Sequence, residues 1–200
     1  MEKRIILARH AETLFNRVGV IMGRTDSVLS PQGEETVRAL GRVLQGEGVQ
    51  AVFCSPLGRA YTSARIYMDT QRNLLSLRPG LAELACGDWE GLPRYLVKPN
   101  PGLLRSSWTD KPPNGESYQD AEPRVHSVIQ ELRRVPYSPV LVVGHAGINR
   151  VFLKLWLGLT SEEAIKIRCP HDAFFILDET GSVSTKWVNG EESHGLLYER

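Results

Sequence analysis

The chain reads as an α/β protein: a three-layer α/β/α sandwich around a mostly parallel six-stranded sheet with one antiparallel strand. Three observations predict this. The apolar runs Ile5-Ile6-Leu7-Ala8, Ala51-Val52-Phe53-Cys54 and Val140-Leu141-Val142-Val143 are continuous rather than alternating, as strands buried on both faces are. Amphipathic stretches of helical period lie between them. The strand–helix alternation is the signature of parallel strands joined by helical crossovers. The length of 200 residues, 42% of them hydrophobic, suffices for one domain over residues 1–200 with a sizeable core.

In chain order, residues 4–8 form the first strand, which closes on Arg9-His10. A polar loop over 16–28 follows. Ser30-Pro31 reads as N-cap and first helical residue, with Glu34 and Glu35 in the first turn. Val37, Leu40, Val43 and Leu44 carry that helix to about Glu47, where Gly48 stops it. Residues 51–54 are the second strand. Ser55-Pro56 repeats the capping logic and predicts a helix over about 57–69, with a weak third strand at 74–77. From Trp89 to Asn114 periodicity fails among Pro93, Pro99, Pro101, Pro112 and Pro113. An irregular stretch of this length inside a compact domain is a lid or binding loop. Arg94, Lys98, Arg105 and Lys111 outnumber Asp110 there, so this insertion over about 89–114 is basic. Ser117 and Asp120 form a capping-box pattern ahead of a helix to about Arg134, with Pro123 close to its first turn. The strongest strand, 140–143, leads through Gly144-His145-Ala146-Gly147 into a helix over 148–157. Thr160 or Ser161 caps a short helix to about Lys166. Residues 173–177 and 183–188 read as a hairpin around Glu179-Thr180-Gly181-Ser182.

Composition excludes some functions. A net charge of +1 provides no global field to recruit nucleic acid or an anionic membrane. No segment approaches the roughly 18 apolar residues of a spanning helix, and the run near the start is too short for a secretory signal. Cys54, Cys86 and Cys169 are odd in number and form no CxxC, which suits reduced thiols in a cytoplasmic protein.

The chemistry gathers at strand ends. His10 follows the first strand and His145 the strand at 140–143. If those strands are parallel neighbours, both imidazoles meet at one sheet edge, where open α/β sheets place their sites. Arg9 stands beside His10, Arg59 lies just past the second strand, and Glu83 lies in a loop before Gly87. Two guanidiniums and two imidazoles make a pocket for a tetrahedral dianion. The helix N-terminus after His145 adds backbone donors, and a carboxyl group such as Glu83 can protonate a leaving alkoxide. A neutral imidazole beside a fixed cation is a poor metal ligand and a good nucleophile toward phosphorus.

At this point the chain resembles the histidine phosphatase superfamily, which includes cofactor-dependent phosphoglycerate mutase. The matching pieces are Arg9-His10-Ala11-Glu12-Thr13 with Asn16, Ser55-Pro56-Leu57-Gly58-Arg59-Ala60, Leu81-Ala82-Glu83-Leu84, Gly87-Asp88-Trp89-Glu90-Gly91, Gly115-Glu116-Ser117 and Val143-Gly144-His145-Ala146-Gly147. They run in family order from about residue 4 to 150. The resemblance implies that His10 is the nucleophile, that Glu83 is the proton donor and later the base, and that Arg9, Asn16, Arg59, His145 and Ala146 bind the phosphoryl group. It implies no metal, no cofactor and a small phosphorylated metabolite as partner, with a homodimer left open. One position departs: Ala11 stands where most members have glycine, and the expectation is an altered rate or substrate size rather than inactivity, by way of a shifted backbone beside His10 or a narrower pocket. Gly87-Asp88-Trp89-Glu90-Gly91 is similar to the phosphatase branch, including α-ribazole phosphatases and sugar phosphatases. The Glu-Arg-His-Tyr-Gly segment by which mutases resemble one another is absent. A mutase and a non-catalytic phosphate-binding module are the alternatives. Asn16 also reads as a loop-stabilising residue, Thr13 as a local hydrogen-bonding one, Trp89 as a packing anchor, Cys86 as an inert thiol, and His126, His171 and His194 as structural or exposed.

Overall fold

A computed structural model describes residues 3–68, 75–97 and 104–198. Among these, seven strands form one sheet: β1 (Ile5–Arg9), β2 (Ala51–Cys54), β3 (Leu75–Leu77), β4 (Val140–Gly144), β5 (Ala173–Leu177), β6 (Val183–Trp187) and β7 (Glu192–His194). Their order is β3-β2-β4-β1-β5-β6-β7. The helices are α1 (Leu14–Arg17), α2 (Pro31–Gln45), α3 (Gly58–Tyr67), α4 (Arg94–Val97), α5 (Tyr118–Arg134), α6 (Ala146–Leu157) and α7 (Ser161–Ala164).

Strand side chains alternate between faces, and two core clusters follow from that. Ile5, Leu7, Phe53, Val140 and Val142 pack with Val125 and Ile129 of α5 and Ile148 and Phe152 of α6. Ile6, Ala8, Val52, Leu141 and Val143 pack with Val37 and Leu40 of α2 and Ala60 and Ala64 of α3. Helices on both sides explain why the apolar runs are continuous. The predicted caps at Ser30, Ser117 and Thr160 all form, the last two as full capping boxes.

The sheet departs from expectation in two respects. It has seven strands rather than six, because Glu192–His194 adds an exposed edge strand against β6. Three polar residues held by backbone pairing carry no apolar pattern to read. Two strands, not one, run against the rest: β5 is antiparallel to β1, β6 to β5 and β7 to β6, which returns β6 to the direction of β1. Ser55 is also not an N-cap. Leu57 occupies that position without a side-chain hydrogen bond, and the Ser55 hydroxyl is committed to His145. Of the residues expected in the third strand, Leu74 lies outside the described residues, as does Lys98 of the basic segment.

One pairing positions the site. β1 and β4 are parallel neighbours with Arg9 opposite Gly144, and the His10 N–H donates to the Gly144 carbonyl at 3.0 Å. The residues that follow both strands therefore emerge side by side. Among the described residues no helix is long and apolar enough to cross a membrane.

Candidate active site

A cavity of about 310 Å³ opens there, lined by Arg9, His10, Asn16, Arg59, Glu83 and Ala146 among others. His145 is fully buried beside it, its ring centroid 5.0 Å from that of His10.

Hydrogen bonds fix both rings. The His10 Nδ1–H donates to the Ala11 carbonyl at 2.7 Å, which leaves the Nε2 lone pair open. Ser55 Oγ accepts the Leu57 N–H at 3.3 Å and lies 2.7 Å from His145 Nε2. This contact engages Nε2 and leaves His145 Nδ1 without a partner among the described residues. Burial holds both imidazoles well below the ordinary histidine range, and neighbouring charges deepen this: His145 and Arg9 act on His10, Arg59 and Arg9 on His145. Both rings are neutral at neutral pH.

The arginines are charged and incompletely bonded. Burial brings Arg9 down to about 10, still protonated at neutral pH. Its Nη1 donates to the Cys169 carbonyl at 2.9 Å. Arg59 is 2% exposed; it donates to the Thr25 and Gly23 carbonyls and pairs with Asp26 at 3.0 Å. Five buried side-chain polar atoms lack a partner among the described residues, and three of them are Arg9 Nε, Arg59 Nε and His145 Nδ1. An unsatisfied buried donor costs about 1–3 kcal/mol. Arg9 Nε and Arg59 Nε are such donors, and with the open His145 Nδ1 they give the end of the cavity at His10 the means to receive oxygen anions.

Glu83 approaches from the 3₁₀ turns after β3. Its carboxylate accepts the Leu84 N–H at 3.0 Å and the Gly147 and Ile148 N–H groups at 3.2 Å each, so it sits on the N-terminus of α6. Its backbone carbonyl is held by Arg24 Nε at 2.7 Å. Glu116 Oε2 in turn binds Arg24 and Arg124. Among the described residues no group of three or more His, Cys, Asp or Glu could hold a metal ion.

The residues of the expected site are thus gathered at one place. Asn16 lines the cavity, but its Oδ1 is engaged by Thr13 in the capping box of α1. The Ala11 methyl does not narrow the pocket. It packs into the apolar cluster beneath α2 and α3, away from the cavity lining. The reading of His171 as structural or exposed is refined: its Nδ1–H donates to the His10 carbonyl at 2.6 Å, with the two rings 5.3 Å apart, and burial lowers it to about 3. Arg94 and Arg105 of the basic segment line the cavity, whereas Lys111 faces away onto Asp120.

Residues 5–187 match the profile of the histidine phosphatase superfamily (branch 1). The chain belongs to that superfamily. It is 28% identical over 188 residues to a Hydrogenobacter thermophilus protein assigned as a phosphoserine phosphatase, covering 92% of this chain and 93% of that one. It is 27% identical to the adenosylcobalamin/α-ribazole phosphatase of Escherichia coli over 96% and 98% of the two chains. The crystal structure of the α-ribazole phosphatase from Shigella flexneri superposes with a TM-score of 0.70 at 26% identity, over 98% and 96% of the two chains. This histidine phosphatase is therefore an enzyme of the phosphoric monoester hydrolase type, and the residues expected to form its site lie within the matched span.

Proposed function

We propose that this histidine phosphatase is a metal-independent phosphomonoesterase that hydrolyses a small phosphorylated metabolite through phospho-His10. The observation that carries this reading is the set of unpartnered buried nitrogens on Arg9, Arg59 and His145 beside His10, whose Nδ1 is engaged; His145 is read as carrying its proton on Nδ1, with the Ser55 hydroxyl donating to its Nε2. In the first step the His10 lone pair forms a bond to phosphorus. The bond to the leaving oxygen breaks with its electrons on oxygen, which takes a proton from Glu83. In the second step Glu83 takes a proton from water, the new hydroxide oxygen bonds to phosphorus, and the phosphorus–Nε2 bond returns its pair to His10. Splitting a very slow hydrolysis into two assisted transfers is the purpose of the covalent intermediate. Arg9, Arg59, His145 and the Ala146 N–H hold the phosphoryl oxygens, and Asn16 adds its amide N–H. Preorganised donors of this kind are worth about 3–4 kcal/mol each.

A single domain over 1–200 with residues 89–114 as its lid, a cytoplasmic location and no nucleic acid partner belong to the same reading, which leaves a homodimer open. The three cysteines are free and buried, in keeping with a reducing compartment.

Rapid quenching after mixing with a phosphoryl-labelled substrate is expected to trap label on the protein that acid removes and alkali spares, and turnover is expected to survive a chelator. An active enzyme with no trapped label overturns the phosphohistidine route. Formation of an isomeric phosphoester in place of free phosphate makes the enzyme a mutase.

Ser55 supports His145 in this scheme. Ser55→Ala lets the His145 proton move to Nε2, away from the phosphoryl group. The expected result is a fall of about tenfold in kcat/KM, the worth of one hydrogen bond. The ring nitrogen shifts of His145 by NMR would report the lost tautomer, and Ser55→Thr would restore both.

A further inference from the structure

His171 stands outside the phosphoryl scheme, yet it touches the residue at its centre. It lies in the loop over 169–172, directly before β5, and backbone bonds tie both ends of that loop. The Arg168 N–H donates to the Leu197 carbonyl at 2.8 Å, and the Val188 N–H to the Asp172 carbonyl at 2.9 Å. Two contacts run from this loop to the active edge. The Cys169 carbonyl accepts from Arg9 Nη1 at 2.9 Å, and His171 Nδ1–H donates to the His10 carbonyl at 2.6 Å. A carbonyl can only accept, so the His171 proton is on Nδ1. Burial lowers this imidazole to about 3, so at neutral pH it carries that one proton and adds no charge beside His10.

The His10 carbonyl and the Ala11 N–H belong to one peptide group, and side chains hold both of its ends. Ser63 Oγ, on α3, accepts the Ala11 N–H at 2.9 Å and donates to the Arg59 carbonyl at 2.7 Å. A peptide group is planar and turns as a unit. The Ala11 carbonyl follows it along the chain, and that carbonyl accepts from His10 Nδ1–H at 2.7 Å. A 10–11 peptide free to turn would carry this acceptor off the ring. The His10 proton could then move to Nε2, which would have no lone pair left for phosphorus. We infer that His171 is a positioning residue for the nucleophile: with Ser63 it clamps the 10–11 peptide, and the clamp keeps the His10 proton on Nδ1. The same loop holds Arg9, so the attacking nitrogen and a phosphoryl donor share one support. The rate this clamp controls is that of the phosphomonoesterase reading, on which the inference rests.

The test uses two variants of nearly equal shape. His171→Asn offers an amide N–H where Nδ1–H stood, and His171→Leu has the same branching with no donor. Thermal unfolding checks that both are folded. Stopped-flow release of nitrophenolate from p-nitrophenyl phosphate reads the phosphorylation of His10, and its concentration dependence separates the rate from binding. His171→Leu is expected to slow phosphorylation about tenfold, the worth of one hydrogen bond, with the half-saturating concentration unchanged. His171→Asn is expected to recover the rate to within about threefold of wild type. Nitrogen NMR is expected to find the protons of His10 and His171 on Nδ1 in the wild type, and the His10 signals shifted toward mixed tautomers in His171→Leu alone. Equal rates in the two folded variants overturn the clamp, as does a loss confined to binding. A wild-type proton on Nε2 of either ring overturns it however the variants fold. Both protons on Nδ1 in a wild-type enzyme that forms no phosphohistidine keep the clamp and overturn the phosphatase reading instead.

Discussion

Replacing His10 with alanine is expected to lower kcat by about 10⁴-fold or more and to abolish the covalent phosphoryl label. Cys86, which also lines the cavity, stays a protonated thiol because burial pushes it up to about 11. His145 has its Nε2 engaged by Ser55, and His171 is bonded through Nδ1 to the His10 carbonyl. The expected loss exceeds that of any binding residue because it removes a bond, not a donor. The same residue sets the acid side of the pH profile. Protonation of Nε2 removes the attacking lone pair. Burial first, then His145 and Arg9, hold His10 well below its usual 6.5, so the active neutral form is favoured above that lowered value and lost only as pH falls through it. Between pH 8 and pH 6.5, kcat/KM should show no loss from this group. A drop centred at an ordinary histidine value would mean that His10 titrates as if solvent-exposed. Retention of label or of turnover in His10→Ala would place the nucleophile elsewhere.

How far each part of the site is legible in the sequence depends on the kind of signal its residues leave. His10 and His145 are legible because continuous apolar runs mark the buried strands that carry them, and parallel neighbours deliver their ends together. Arg59 is legible for the same reason, from its place just past β2. The role of Ser55 is not. Its neighbour Pro56 imitates a capping signal, and only the fold shows that its hydroxyl meets a side chain 90 residues away. His171 has no motif, but topology locates it. A strand antiparallel to β1 begins where β1 ends, with Phe174 opposite Ala8, so the residues before β5 return to the active edge. The hairpin of β5 and β6 shows in the sequence pattern; its position beside β1 does not. β7 leaves no signal at all, since Glu192–His194 has no apolar face to bury. Tyr118 and Arg105 reach the cavity through tertiary packing of α5 against the irregular segment, which no local period encodes.

Glu83→Gln carries the second large effect, and its size should depend on the leaving group. The carboxylate is fixed by three backbone N–H groups, from Leu84, Gly147 and Ile148. The fit is close enough to dictate a neighbour: a Cβ on Gly147 would lie 2.6 Å from Glu83 Oε1. Glutamine keeps the shape but can neither give up a proton at the leaving oxygen nor accept one from water. For an alkyl phosphate, whose alkoxide cannot depart unprotonated, a loss of about 10²–10⁴ in kcat is expected. For p-nitrophenyl phosphate the leaving anion needs no proton, so phosphorylation of His10 proceeds while its hydrolysis, which still requires the base, stalls. The expected result is a burst of nitrophenolate equal to the enzyme present, followed by slow turnover, with label accumulating on His10. Equal losses on both substrates and no burst would show that Glu83 only shapes the α6 N-terminus. Gly147→Ala separates the two cases from the other side. It displaces the carboxylate without removing it, so both steps should slow together and no phosphoenzyme should build up.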